Sequence, residues 1–231
     1  MILKEIAVES KNENTYPYNI KIFKDGFNIK FNNNVTIISG ENGCGKSTIL
    51  KYIADNVGFN ILGGNKNSNY KSTENLRQIQ DIKLSWSYKT KKGFYFRSDT
   101  FNSYYNYIES EPQVLAYYRK KFSELSHGES FLELFDSFKE GIFLLDEPEN
   151  ALSPQNQLRL LSIINELSKQ KDTQIIVVTH SPIIMSYPNA DFIYIDNEVK
   201  RMNYKDTSHY VIYKMMLECP EKLFKVLFDE D

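Results

Sequence analysis

The sequence has no apolar run approaching the roughly 20 residues that a membrane-spanning helix needs, so stable insertion in a bilayer is not expected of these 231 residues. Two cysteines, Cys44 and Cys219, are too few for a disulfide framework, and no cationic-then-apolar leader opens the chain. A reducing cytoplasm is the expected compartment. Neither sign of charge dominates: 28 Lys and Arg stand against 30 Asp and Glu, a net charge of −2. No global field therefore draws nucleic acid, and any such contact depends on local stretches such as Lys89, Lys91 and Lys92 or Arg119-Lys120-Lys121, which read first as solvated charge. Aromatic residues make up 14% of the chain, enough with this length for one sizeable core and one domain.

Gly40-Glu41-Asn42-Gly43-Cys44-Gly45-Lys46-Ser47-Thr48 fits the phosphate-loop pattern G-x-x-x-x-G-K-[ST] without a gap. Its glycines let successive backbone N–H groups turn toward phosphate oxygens, Lys46 neutralises the β and γ phosphates, and the Ser47 hydroxyl is a Mg²⁺ ligand. The β-branched run Val35 to Ser39 reads as a buried strand, and Ser47 to Ala54 reads as a helix whose N-terminal dipole faces the phosphates. Cys44 lies near that helix terminus, where a thiol can become reactive, but a small residue that simply fits is the plainer reading.

A second apolar run, Gly141 to Leu145, ends in Asp146-Glu147-Pro148. Strands buried on both faces look like this. Asp146 at the strand end suits Mg²⁺, and Glu147 suits a general base that polarises the attacking water. A third run, Ile175 to Val178, ends at Thr179-His180-Ser181-Pro182, so His180 should point into the crevice at the carboxyl ends of parallel strands and contact the γ-phosphate. Between the loop and the acidic pair, Leu125-Ser126-His127-Gly128-Glu129-Ser130 opens a helix running through Phe131, Leu132, Phe135 and Phe138. Ser126 and Glu129 can form a capping box there, and the free N–H groups around Gly128 can bind an anion; the two roles are compatible.

This order of motifs resembles the ABC-type ATPases: Walker A at Gly40 to Thr48, signature at Leu125 to Ser130, Walker B at Ile142 to Glu147, D-loop at Asn150 to Pro154, and switch histidine at His180. Within that superfamily the chain is most similar to small stand-alone AAA-family ATPases related to SMC and OLD-type proteins, a likeness that extends to Asp206-Thr207-Ser208-His209-Tyr210 and Cys219-Pro220-Glu221. The resemblance implies an α/β fold, a P-loop NTPase core of ABC-ATPase type with an N-terminal antiparallel β subdomain and a helical signature-bearing segment. It also implies ATP and Mg²⁺ as cofactors. Two chains would meet head to tail, so that Ser126, Gly128 and Glu129 of one complete the nucleotide site that Gly40, Asn42, Gly43, Cys44, Gly45, Lys46, Ser47 and Thr48 begin in the other. Glu147, His180 and Lys46 would be catalytic, and Ser47 and Asp146 would hold the metal.

Several residues depart from that pattern. His127 and Glu129 stand where transporter signatures usually carry glycine and glutamine, and Ser153-Pro154 occupies the D-loop, where it also suits a helix start. No glutamine ends the strand before the signature: Phe94 to Asp99 offers Arg97 or Asp99 instead, while Gln78 and Gln80 lie upstream in a polar segment. Tyr16 and Tyr18 are placed to stack on adenine or simply to pack. Only 76 residues, Ile49 to Glu124, separate loop from signature, which leaves no room for a long coiled-coil arm.

The expected organisation is one domain over residues 1–231. Its parts are a β-rich lead-in (1–39), the loop and its helix (40–55), a lid, hairpin and helical segment (56–124), the signature-to-switch core (125–205) and C-terminal helices (206–231). Ile82, Leu84, Trp86 and Tyr88 alternate and predict a strand that turns at Thr90 to Gly93 into Phe94 to Arg97, while Phe101, Tyr104, Tyr105 and Ile108 share one helix face. The leading functional expectation is a Mg-ATP-hydrolysing switch that closes as a homodimer and drives a protein partner or a nucleic-acid process. The alternatives are the ATPase subunit of a membrane transporter and an ATP-binding scaffold with little turnover.

Overall fold

The computed structural model describes residues 1–68, 82–110 and 125–228. In chain order its first elements are β1 (Leu3–Val8), α1 (Lys21–Asp25), β2 (Phe27–Lys30), β3 (Val35–Gly40) and α2 (Lys46–Val57). There follow β4 (Ile82–Trp86), β5 (Gly93–Arg97), α3 (Phe101–Ser110), α4 (His127–Ser137), β6 (Gly141–Asp146), α5 (Pro154–Ser168) and β7 (Thr173–Val178). The chain continues through α6 (Pro182–Met185), β8 (Asp191–Ile195), β9 (Val199–Arg201), α7 (Ser208–Glu218) and α8 (Pro220–Phe228).

Two sheets result. A six-stranded sheet in the order β5-β6-β7-β3-β8-β9 is parallel except for β9, and a three-stranded antiparallel sheet runs β2-β1-β4. Every residue of β3, β5, β6 and β7 is buried, as a parallel strand covered on both faces requires. Alternation along a strand then feeds two cores. Ile176 and Val178 pack with α2 and the antiparallel sheet, while Ile175 and Val177 pack with α3, α4 and α5. Rings of Phe94, Phe96, Phe101, Phe131, Phe135 and Phe143 interlock in the second core, with the Phe96 and Phe131 centroids 3.9 Å apart. The buried Gln174 ties the sheets together: its carbonyl accepts from the N–H groups of Ile2 and Leu3, and its amide donates to the Leu3 carbonyl.

The predicted hairpin at Thr90 to Gly93 does not form. β4 pairs antiparallel with β1, whereas β5 pairs in parallel with β6, so the turn links two different sheets. Burial explains the choice: β4 alternates between half-buried and exposed residues and suits an open edge, but β5 is buried throughout and needs cover on both faces. The β-rich lead-in is accordingly split, β3 joining the parallel sheet and β4 completing the antiparallel one, with the short helix α1 between β1 and β2. Of the helix face predicted from Phe101, Tyr104, Tyr105 and Ile108, all but Tyr105 are buried in α3, and Tyr105 is half-buried.

Pro220 divides the C-terminal helix pair as expected, standing at the start of α8 just after Cys219 ends α7. Neither α7 nor α8 contains a buried residue, and Leu217 (83% exposed), Val226 (79%) and Phe228 (69%) face outward. Among the described residues, no helix is long and apolar enough to cross a membrane. Gln78, Gln80 and Arg119-Lys120-Lys121 lie outside the described residues. Of the other basic stretch, Lys92 is paired with Glu140.

Candidate functional site

Three neighbouring strands bring the sequence motifs together. In the sheet register Ile38 of β3, Val178 of β7 and Asp146 of β6 lie in one row. Gly40, His180 and Glu147 follow at the carboxyl edge, where open α/β sheets bind ligands. Ser47, in the first turn of α2, donates to the Asp146 Oδ1 at 2.9 Å. Gly45 precedes α2 with a left-handed φ of 101°, and a Cβ there would meet the Phe23 ring at 2.7 Å, so both backbone and packing call for glycine. The Lys46 ammonium is folded back over the loop, donating to the carbonyls of Gly40 (2.9 Å) and Glu41 (2.7 Å). A cavity of about 160 Å³ is lined by Asn42, Gly43, Gly45, Lys46, Ser47, Thr48 and Glu147 together with Ile20. A larger cleft of about 570 Å³, between Asp25-Gly26 and the Asp196–Val199 turn, contains none of the motif residues.

Glu147 adopts a left-handed φ of 48°, an unfavourable conformation for a non-glycine residue that marks functional turns. Its N–H donates to the Val178 carbonyl (2.9 Å), which locks the turn to β7. Asn150 Nδ2 donates to Glu147 Oε2 at 2.9 Å, and His180 Nε2 stands 3.8 Å from Oε1. Glu149, which the sequence pattern did not single out, is half-buried and accepts the His180 N–H at 2.6 Å. Burial pushes its carboxyl above the usual range. The other ring nitrogen of His180, Nδ1, lies 2.9 Å from His209 Nε2 on α7.

Burial pushes the Asp146 carboxyl up to about 6, against the Ser47 hydrogen bond and the nearby Arg97 charge. Such a group binds more protons folded than unfolded between about pH 4 and 6, so its contribution to stability falls as pH rises through that window. His180 works the other way. Burial, with Lys46 and His209 nearby, pushes its imidazole down to about 4, so its contribution is complete above about pH 6.5 and is lost as pH falls toward 4. The two slopes oppose each other. Asp146→Asn removes only the first, and the nucleotide-free variant is expected to be more stable than wild type at pH 7.5 by up to about 3 kcal/mol. Thermal denaturation reads this, and the same experiment with Mg-ATP added should stabilise wild type more than the variant.

The signature residues sit elsewhere on the chain. Ser126 caps α4, accepting from the Glu129 N–H, while the Glu129 carboxylate takes the Ser126 N–H (2.9 Å) and hydroxyl (2.7 Å): the capping box is complete. Those hydrogen bonds hold the Glu129 carboxyl below its usual range. Neither Ser126 nor Gly128 lines the phosphate-loop cavity. Gly128 has its own packing reason, since a Cβ there would stand 2.4 Å from the Ala151 carbonyl of the D-loop segment. Ser153 with Pro154 caps α5, as their order suggests.

Three readings that the sequence left open narrow. Tyr18 is 1% exposed and belongs to the core, so it cannot stack on a base, whereas Tyr16 is 47% exposed with its hydroxyl 2.9 Å from Thr48 Oγ1. Cys44 is buried, and burial pushes its thiol up, away from the reactive thiolate. Arg97 stands opposite Asp146 in the sheet register, but its guanidinium is held by Asp99 (2.6 Å) and the Ile61 carbonyl (3.1 Å), and Tyr95 Oη approaches Asp146 Oδ2 at 3.4 Å instead.

Residues 121–186 match the model of a family described as "AAA domain, putative AbiEii toxin, Type IV TA system". No curated protein sequence matches the chain. Among solved structures, the ADP conformation of an ATP-binding cassette of an ABC transporter is similar with a TM-score of 0.51 at 16% identity, covering 100% of both chains. The ATP-binding subunit of another ABC transporter is similar with a TM-score of 0.52 at 15% identity, covering 97% of this chain and 99% of that one. At such identities the likeness establishes the fold. The chain has the ABC-type ATPase fold, a P-loop core with an antiparallel β subdomain, and carries an AAA-family sequence pattern across residues 121–186.

Proposed function

We propose that this protein hydrolyses Mg-ATP, and that it does so as a head-to-tail homodimer whose opening and closing drives a partner. The observation that carries the reading is the convergence of Lys46, Ser47, Asp146, Glu147 and His180 at one sheet edge, with Ser47 bonded to Asp146 and His180 beside Glu147.

The residues divide the work. N–H groups of the Gly43 to Ser47 turn face the phosphates, and Lys46 exchanges the Gly40 and Glu41 carbonyls for β- and γ-phosphate oxygens. Ser47 and Asp146 suit Mg²⁺: one hydroxyl and one buried carboxylate, already adjacent, form the hard oxygen set that this ion shares with water and phosphate. A carboxylate whose pKa is raised by burial fits the same cation. Bound there, the ion would neutralise charge on the phosphates. Glu147, oriented by Asn150 and by its strained backbone, accepts a proton from the water that attacks the γ-phosphorus. His180 Nε2, which has no hydrogen-bond partner among the described residues, can donate to a γ-phosphate oxygen. ADP and phosphate then leave.

The dimer follows from the placement of the signature. An exposed helix N-terminus with Ser126 as cap, absent from the wall of its own chain's cavity, can meet a phosphate supplied by a second copy. Outward-facing apolar residues on α7 and α8 support a protein as the partner of the motion. The basic test is phosphate release from Mg-ATP by purified protein. Wild type is expected to turn over, and Lys46→Ala to lose both ATP binding and turnover; equal rates for the two would remove the assignment.

A further inference from the structure

His209 lies on the first turn of α7, 29 positions beyond His180, and its role is visible only in three dimensions. Thr207 fixes the start of that helix: it is 1% exposed, its hydroxyl donates to the Tyr204 carbonyl (2.6 Å) and its side chain accepts from the Tyr210 N–H. His209 Nε2 is thereby brought to 2.9 Å from His180 Nδ1. On the far side of the first ring, His180 Nε2 faces Glu147 Oε1 at 3.8 Å, too far for a direct hydrogen bond. His180 Nε2 and His209 Nδ1 are both buried and have no hydrogen-bond partner among the described residues.

Two neutral imidazoles can share this bond in two ways. If His180 carries its proton on Nδ1, it donates to His209, whose own proton must then sit on Nδ1 as a buried N–H with no acceptor. That arrangement also aims the His180 Nε2 lone pair at the Glu147 carboxylate. If His209 instead carries its proton on Nε2, it donates to His180 Nδ1, and the proton of His180 moves to Nε2. The orphan on His209 is then only a lone pair, less costly than an unpaired N–H, and an N–H faces Glu147.

We infer that His209 is a positioning residue that holds His180 in its Nε2–H tautomer, so that the ring presents a donor to the γ-phosphate side of the site. The inference rests on the ATPase reading for its consequence, though not for its geometry. His209 acts through His180. It also makes α7, whose other residues are largely exposed, the element that sets the proton position at the catalytic edge.

The chain has three histidines, so ¹⁵N NMR of the full-length, nucleotide-free protein can resolve each ring. At pH 7.5 His180 should show the Nε2–H pattern. In His209→Leu that preference should disappear, and kcat should fall roughly 10- to 100-fold, the usual effect of losing a tautomer-setting partner, while the KM for ATP stays at the wild-type value. His209→Gln, whose amide N–H can donate from a similar position, should restore kcat to within a few-fold of wild type and restore the Nε2–H pattern. An Nδ1–H pattern in wild type would overturn the inference, as would wild-type kcat in His209→Leu or equal defects in Leu and Gln variants. Absence of ATP turnover in wild type would instead defeat the ATPase reading, and the tautomer spectrum would still decide the role of His209.

Discussion

Glu147→Gln is expected to abolish ATP turnover while leaving ATP bound, so that the variant accumulates as a nucleotide-held dimer. Glutamine preserves the size of the side chain and a carbonyl acceptor for Asn150 Nδ2, so the strained turn at Glu147 keeps its anchor to Val178. What disappears is the carboxylate proposed to take the proton from water, a contribution of roughly 10²- to 10⁴-fold in rate. None of the proposed phosphate-binding groups is touched. Lys46, Ser47 and the loop N–H groups should still hold ATP, and loss of a negative charge beside the phosphates should strengthen that hold. Size-exclusion chromatography in saturating Mg-ATP should move the variant from monomer to dimer, and radiolabelled ATP should co-elute at one nucleotide per chain. A variant that stays monomeric under these conditions would argue against closure over ATP.

Ser126→Asp separates the two roles available to the signature. Aspartate is an N-cap as serine is, although it loses the hydroxyl that donates to Glu129 and faces that carboxylate, so if Ser126 only starts α4 the substitution lowers stability and leaves the turnover of the folded protein intact. If Ser126 meets the γ-phosphate of a second copy, a carboxylate arrives beside an anion, and like charges a few ångströms apart repel by about 4 kcal/mol at an effective dielectric of 20. That is close to a thousandfold in dimer closure. ATP binding to the monomer should be unchanged, since Ser126 does not line that cavity, whereas turnover and the ATP-dependent dimer should both be lost. Calorimetry of ATP binding alongside steady-state turnover checks both halves, and full turnover by the variant would reduce the motif to a helix cap.

Much of the site was legible because its signals are local. The run Gly40 to Thr48 links β3 to α2 as its pattern predicts, and β3, β6 and β7 read correctly because strands covered on both faces are apolar throughout. Capping was equally readable at Ser126 and Ser153, where partner and cap lie three residues apart. What was not legible depends on contacts between distant segments. The turn from Thr90 to Gly93 says that the chain bends but not that β4 and β5 then enter different sheets. Tyr16 and Tyr18 look alike in sequence, yet only the fold puts one in the core and leaves the other near Thr48. Glu149 and His209 are ordinary residues until β6 is laid beside β7 and α7 is brought back to the strand ends, where one holds the His180 backbone and the other its ring.

Pairing the two kinds of defect tests the shared site directly. Lys46→Ala destroys the phosphate loop of a chain and Ser126→Asp its signature, so each variant alone should be inactive. In a mixed dimer, the loop of the Ser126→Asp chain faces the intact signature of the Lys46→Ala chain, giving one complete site and one doubly defective site. With random pairing in an equimolar mixture, about half the dimers are mixed and each has one working site of two, so turnover should recover to about a quarter of the wild-type rate. A mixture no more active than its two components would contradict the head-to-tail site.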